Sequence, residues 1–157
     1  MEKYEELRDK AAQKIKAADH MLNTTLPLVK DYRMLPSILE HIFLGMTYAL
    51  QAVLAYDLLY KRIPSFDEHF QNRVQLFKSR CLDPHHFKLD QVISLQELHY
   101  LLLQRKKSHT EFIRHDRFVM CAEDYQMTTL SEEDVKNYLK IAKKFVFLAG
   151  LAVSRKN

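Results

Sequence analysis

The chain reads as an all-α protein, an antiparallel bundle of about five helices, and three observations lead there. Only 2 Gly and 4 Pro occur in 157 residues, too few for the tight turns of a many-stranded fold. Leu, Lys, Gln, Glu and Ala, all strong helix formers, are plentiful. Apolar residues recur at three- and four-residue steps along most of the chain. A chain of 157 residues with 47% hydrophobic content is long enough to bury one core and too short for two ordinary domains, so a single helical-bundle domain spanning 1–157 is expected.

The first helix is expected from about Glu2 to Leu22, with Tyr4, Leu7, Ala11, Ile15, Ala18 and Leu22 on one face. Asn23, Thr24, Thr25 and Pro27 are expected to stop it. Pro36 and Ser37 suit the first turn of a second helix over 36–61, which is apolar nearly all round and therefore central. Glu40, His41, Gln51 and Asp57 interrupt that apolar stretch at a cost in lipid, so it is read as a bundle helix and no membrane partner is expected. His41 reads as a hydrogen-bonded core residue.

Ser65 and Glu68 form a capping-box pattern for a third helix carrying Phe66, Phe70, Val74, Phe77 and Cys81. Asp83 to His86 form a loop, and Asp90 can cap a fourth helix running through Leu95, Leu98 and Leu102 to about residue 109. Phe118 to Cys121 are strand-like and Tyr125 to Leu130 can return antiparallel, which places a short β-hairpin over about 117–130. Ser131 with Asp134 opens the last helix, where Val135, Tyr138, Ala142, Phe145, Ala149 and Ala152 alternate in steps of three and four. Residues 155–157 are expected to fray.

Lys and Arg number 24 against 20 acids, a net charge of +4 that favours anionic partners weakly. Cys81 and Cys121 form no CxxC pair and no secretory signal precedes them, so a reducing, cytoplasmic compartment is expected. No glycine-rich phosphate loop or GxSxG elbow is present. Glu40/His41, His85/His86, Glu97/His99 and Glu111/His115 are scattered pairs that make no ligand set, so neither a metal nor a cofactor is expected.

Polar function concentrates between positions 105 and 117, where Arg105, Lys106, Lys107, Arg114, Arg117, His109 and His115 fall within thirteen residues. Arginine holds a phosphate bidentately, and histidine moves a proton near neutral pH. Those are the needs of metal-free RNA cleavage, with Arg105, His109, Arg114 and His115 as catalytic candidates. Lys140 and Lys144, on the polar side of the last helix, would extend a phosphate-binding surface formed by Arg105, Lys106, Lys107, Arg114 and Arg117. The same residues also read as a solvated helix end, with cations near the helix C-terminus pairing with Glu111 and Asp116.

The alanine-bearing first helix, the apolar stretch Ile38 to Tyr60, the passage Leu101 to Arg105 running toward His109, and the acid-capped last helix together resemble the HEPN (higher eukaryotes and prokaryotes nucleotide-binding) superfamily. A looser likeness joins the Lys107 to Phe112 passage and the Phe118 to Cys121 segment to small archaeal helical proteins of no assigned activity. The HEPN resemblance implies a four- to five-helix bundle, a homodimer, and RNA as partner. Where four to six residues separate an Arg from a His, it implies a metal-independent endoribonuclease; without that motif it implies an RNA-binding or partner-binding module. Arg105 and His109 are separated by three residues rather than four. The alternative expectation is a non-catalytic helical interaction module that holds a protein partner on an exposed face of the first or the last helix.

Overall fold

The computed structural model describes residues 1–154. The expected fraying of 155–157 lies outside them. Five helices of eleven residues or more make up most of the described chain, and a small three-stranded antiparallel sheet accompanies them. The protein is therefore mainly helical without being purely all-α.

Helix α1 (Lys3–His20) opens where the Glu2 N–H donates to the Glu5 carboxylate at 3.2 Å, and it buries Leu7, Ala11, Ile15 and Ala18. The expected stop at Asn23–Pro27 does not occur. The backbone continues through a π-helical turn, Met21–Thr25, into the short α2 (Leu26–Val29), until Lys30 turns left-handed at φ 52°. Pro27 falls in the first turn of α2, where a missing N–H costs nothing, and buried Leu22 and Leu26 tie the extension to the core.

A 3₁₀ turn, Tyr32–Met34, leads into α3 (Leu35–Leu59), close to its expected bounds. Fourteen of its residues are buried, because α1, α4, α5 and α6 all pack on it. By length and composition the stretch Tyr32–Leu59 could cross a membrane, but here it serves as the hub of the bundle. Gly45 allows α1 to approach: a Cβ there would stand 2.5 Å from Ile15 Cδ1. His41 is only half-buried, with Nδ1 2.8 Å from the Ser37 carbonyl one turn back, so it is not a core residue.

Helix α4 (Phe70–Arg80) begins later than the Ser65/Glu68 pattern suggests. Asp67 organises the entry, accepting from the His69 N–H at 2.9 Å and from the Asn72 amide at 2.8 Å, so Phe66 packs on the core from outside the helix. Helix α5 (Leu89–Lys107) is opened by Gln91, which accepts from the Lys88 N–H at 2.9 Å, and not by Asp90. It ends two residues short of 109 because Ser108 is extended.

The sheet holds one strand more than expected. Strand β1 (Thr110–Arg114) pairs with β2 (Arg117–Cys121), which pairs with β3 (Met127–Ser131). Phe112 and Ile113 favour an extended chain, and the two-residue loop is closed by His115 at φ 59°, a conformation to which His, Asn and Asp adapt better than most residues. Phe118, Met120 and Leu130 anchor the sheet on the core. Helix α6 (Glu132–Ser154) follows directly. Its expected capping box is present, with Ser131 N–H donating to Asp134 at 3.0 Å and Asp134 N–H donating to Ser131 Oγ at 3.1 Å.

Candidate functional site

The stretch 105–117 is divided between a helix end and a hairpin, and the division decides which of its side chains meet. Arg105 projects from the last turn of α5 and binds Glu111 of β1, Nε to Oε2 3.1 Å. His109 occupies the joint, its N–H donating to the Cys121 carbonyl at 3.0 Å and its imidazole lying 3.1 Å from Glu123. Ser108 Oγ pins the same joint by donating to the Thr110 and Cys121 carbonyls.

Arg114, His115 and Arg117 sit at the opposite end of the hairpin, with Arg114 directly across from Arg117. Four strand steps carry the chain from Thr110 to Arg114, roughly 13 Å. Arg114 and His115 therefore do not close on Arg105 and His109 within one chain, because the segment expected to bend is an extended strand. Glu111 and His115 lie toward opposite ends of the same hairpin. Arg105 and His109 each face a carboxylate on the exposed surface, an arrangement worth about 1 kcal/mol or less per pair.

Of the phosphate-binding candidates, Arg105 and Lys106 border a cleft of about 670 Å³ between α3, α4, α5 and β1. Its floor is apolar, formed by Phe43, Leu50, Phe70, Leu95 and Leu102. His99 stacks on Phe70 at 4.0 Å between ring centres and on Phe43 at 5.7 Å, and burial, with Lys106 nearby, holds its imidazole below the ordinary range and so neutral at pH 7. Its neighbour Glu97 instead accepts from the Tyr138 hydroxyl at 2.9 Å. Lys107 stands on the exposed end of α5.

Lys140 and Lys144 belong to a different surface. With Lys136, Lys143, Asn23, Leu22, Leu139 and Phe147 they line a shallow hollow of about 580 Å³ between α6 and the π turn. Lys136 pairs with Glu132 at 3.4 Å and Lys143 with Asp19 at 3.0 Å. Phe147 is 64% exposed at its edge.

The outer side of α5 carries the longest apolar feature on the surface of that helix. Leu89, Ile93, Tyr100 and Leu103 are all exposed, Ile93 to 43% and Tyr100 to 59%, and Gln96 fills the gap between them. Spacings of four, three, four and three put these five on one stripe. Tyr100 and Gln104 continue into a hollow shared with Met120 and Met127 of the sheet, where Met127 is also exposed.

One polar cluster lies outside the sequence expectations. Asp57, only 2% exposed, receives His85 Nε2 at 2.9 and 3.0 Å, Cys81 Sγ at 3.3 Å and Arg62 at 3.4 Å. An ionised carboxylate only accepts, so Nε2 carries the proton, while buried Nδ1 has no hydrogen-bond partner among the described residues. Burial pushes the Asp57 carboxyl up, but bonds from His85, Cys81 and Arg62 outweigh it and hold the group below the usual carboxylate value. Burial and the adjacent Asp57 charge push the Cys81 thiol far up, so it stays protonated and donates; it is no nucleophile. The cluster locks the end of α3, where left-handed Lys61 returns the Arg62 N–H to the Asp57 carbonyl at 2.8 Å. Asp57, isolated in an apolar helix, was the available sequence signal, because a buried charge must find partners.

No family model matches the chain, and no curated protein matches it.

Proposed function

We propose that the chain is a non-catalytic helical interaction module whose working surface is the outer face of α5, continued by the sheet end beside Tyr100. The observation that carries this reading is the exposed stripe Leu89, Ile93, Tyr100 and Leu103. Four large apolar side chains aligned on a solvent-facing helix lose nothing structurally if covered, and covering them releases their hydration at roughly 25 cal/mol per Å². Catalysis has less support, since the four candidate residues are divided between the end of α5 (Arg105), the joint before β1 (His109) and the far end of the hairpin (Arg114 and His115).

A photo-crosslinking residue placed at Ile93 or Tyr100 in cells expressing the chain should give discrete higher-mass adducts, whereas the same residue at exposed Gln13 of α1 should not. Equal adduct yields at all three positions, or none at any, would remove the α5 face from consideration.

A second reading, RNA binding by an HEPN-like homodimer, draws on the hollow formed by Lys136, Lys140, Lys143, Lys144 and Phe147. Lysines can track a backbone while an exposed aromatic ring stacks a base. Under that reading, affinity for single-stranded RNA falls steeply with salt and falls further in Lys140→Ala/Lys144→Ala. Salt-indifferent or absent binding counts against it.

A further inference from the structure

We propose that the cleft between α3, α4, α5 and β1 binds a small, neutral, ring-bearing molecule, seated on the apolar floor with a polar edge toward His99 and Thr47. This site is separate from the outer face of α5 and does not depend on the interaction-module reading. Its volume of about 670 Å³ falls in the range of small-molecule sites, which are mostly apolar with a few polar groups that orient the ligand.

The floor suits a flat occupant. Phe43 comes from α3, Phe70 from the first turn of α4 and His99 from α5, so three helices supply one ring each. Ring centres lie 4.0 Å apart for Phe70 and His99 and 5.7 Å apart for the other two pairs, with Phe43 and His99 only 19° from parallel. A further ring laid beside them finds the offset-stacked and edge-on arrangements that aromatic groups prefer. Leu44 on α3 and Leu103 on α5 also line the cleft and stand outside the core cluster, so their apolar surface is available to an occupant.

Two polar groups give the ligand a direction. Burial and nearby Lys106 keep the His99 imidazole neutral, so one ring nitrogen donates and the other accepts, and neither has a hydrogen-bond partner among the described residues. Thr47, one turn beyond Phe43, holds its hydroxyl oxygen out of water, again with no partner among the described residues. Native proteins rarely leave a buried polar atom unpaired, and a polar atom on the ligand supplies the missing bond.

Charge decides that the ligand is neutral. Glu40, Glu68 and Glu111 border the cleft together with Arg73, Arg105 and Lys106, three of each sign. Arg105 is taken by Glu111 at 3.1 Å, and Arg73 Nε donates to the Asp67 carbonyl at 3.3 Å. An ion of either sign is attracted by one set and opposed by the other, while it loses hydration against phenyl rings and leucines. A neutral molecule meets no such opposition.

The fluorescent probe N-phenyl-1-naphthylamine, neutral and built of linked rings, tests this on the purified full chain. Its emission should rise as one molecule binds per chain, with a dissociation constant of about 10 µM. Competitors that share a ring system and differ in charge test the ligand class. Neutral 2-naphthol should displace the probe at concentrations about tenfold or more below those needed with 2-naphthoate or 2-naphthylmethylammonium. Leu44→Trp fills the cleft and should weaken probe binding about tenfold or more, with the far-UV circular dichroism unchanged. His99→Ala removes one ring of the stack and should weaken it about fivefold. Leu28→Ser, at an 80% exposed leucine of α2 outside the cleft, should bind as wild type does.

Probe affinity unchanged in both Leu44→Trp and His99→Ala places the probe elsewhere on the surface and overturns the site; if Leu44→Trp disturbs the fold, His99→Ala alone decides. Displacement by the naphthoate or the ammonium as readily as by 2-naphthol overturns the neutral ligand class. No probe binding to the wild-type chain at about 50 µM overturns the whole proposal.

Discussion

Two polar groupings in this molecule behave in opposite ways. Asp57 and His85 are 28 residues apart and meet at 2.9 Å in the interior. Arg105, His109, Arg114 and His115 are close neighbours in the chain, and the fold disperses them along the surface. A buried carboxylate without partners costs several kcal/mol, so packing that buries Asp57 must also deliver His85, Cys81 and Arg62. Solvated cations carry no such demand. Density of polar residues along a sequence is thus a poor guide to convergence in space, while an isolated charge in an apolar helix is a good one.

The sharpest way to break that contrast is Asp57→Ala, which leaves the buried His85 without its acceptor. Thermal or urea unfolding should show a loss of about 3 kcal/mol or more. A change under about 1 kcal/mol would mean the cluster is not the lock described here. Because the Asp57 carboxyl sits below its ordinary value of 3.8, its contribution is complete above the unfolded value and is lost as pH falls through the folded one. Acid titration of the wild type should show stability dropping below about pH 4, and Asp57→Ala should flatten that part of the profile.

Gly45→Leu is expected next in size. A side chain there must displace Ile15 from the α1–α3 crossing, at a cost of about 1–3 kcal/mol. Unfolding within about 0.5 kcal/mol of wild type would show the two helices separate more easily than their packing indicates. Smallest of all, Arg105→Ala should change stability by about 0.5 kcal/mol or less, since its pairing with Glu111 is solvent-screened. A loss near that of Asp57→Ala would erase the distinction between the two groupings.

Much of the helical frame was legible in the sequence. The centrality of α3 follows from its apolar circumference, and the start of α6 from Ser131 and Asp134. Two elements were not. The run past Asn23–Pro27 depends on Leu22 and Leu26 finding the core, which is tertiary information. Strand β1 is hidden because Arg105–Lys107 satisfy the rule for a helix end so well that the short run Thr110, Phe112 and Ile113 beyond it does not stand out as a strand. With that strand extended, the thirteen residues divide between the end of α5 and the two ends of the hairpin. The exposed stripe on α5 is illegible for a different reason: Leu89, Ile93, Tyr100 and Leu103 have core-like identities, and periodicity alone does not tell a buried apolar face from an uncovered one.

The most direct test of the non-catalytic reading is incubation of the full chain with structured RNA in EDTA, followed by gel analysis beside the Arg105→Ala and His109→Ala variants. Wild type and both variants should leave the RNA equally intact. Metal-free cleavage by the wild type that disappears in either variant would contradict the account, because Arg105 and His109 would then have to act on one phosphate despite their separate surface pairings with Glu111 and Glu123.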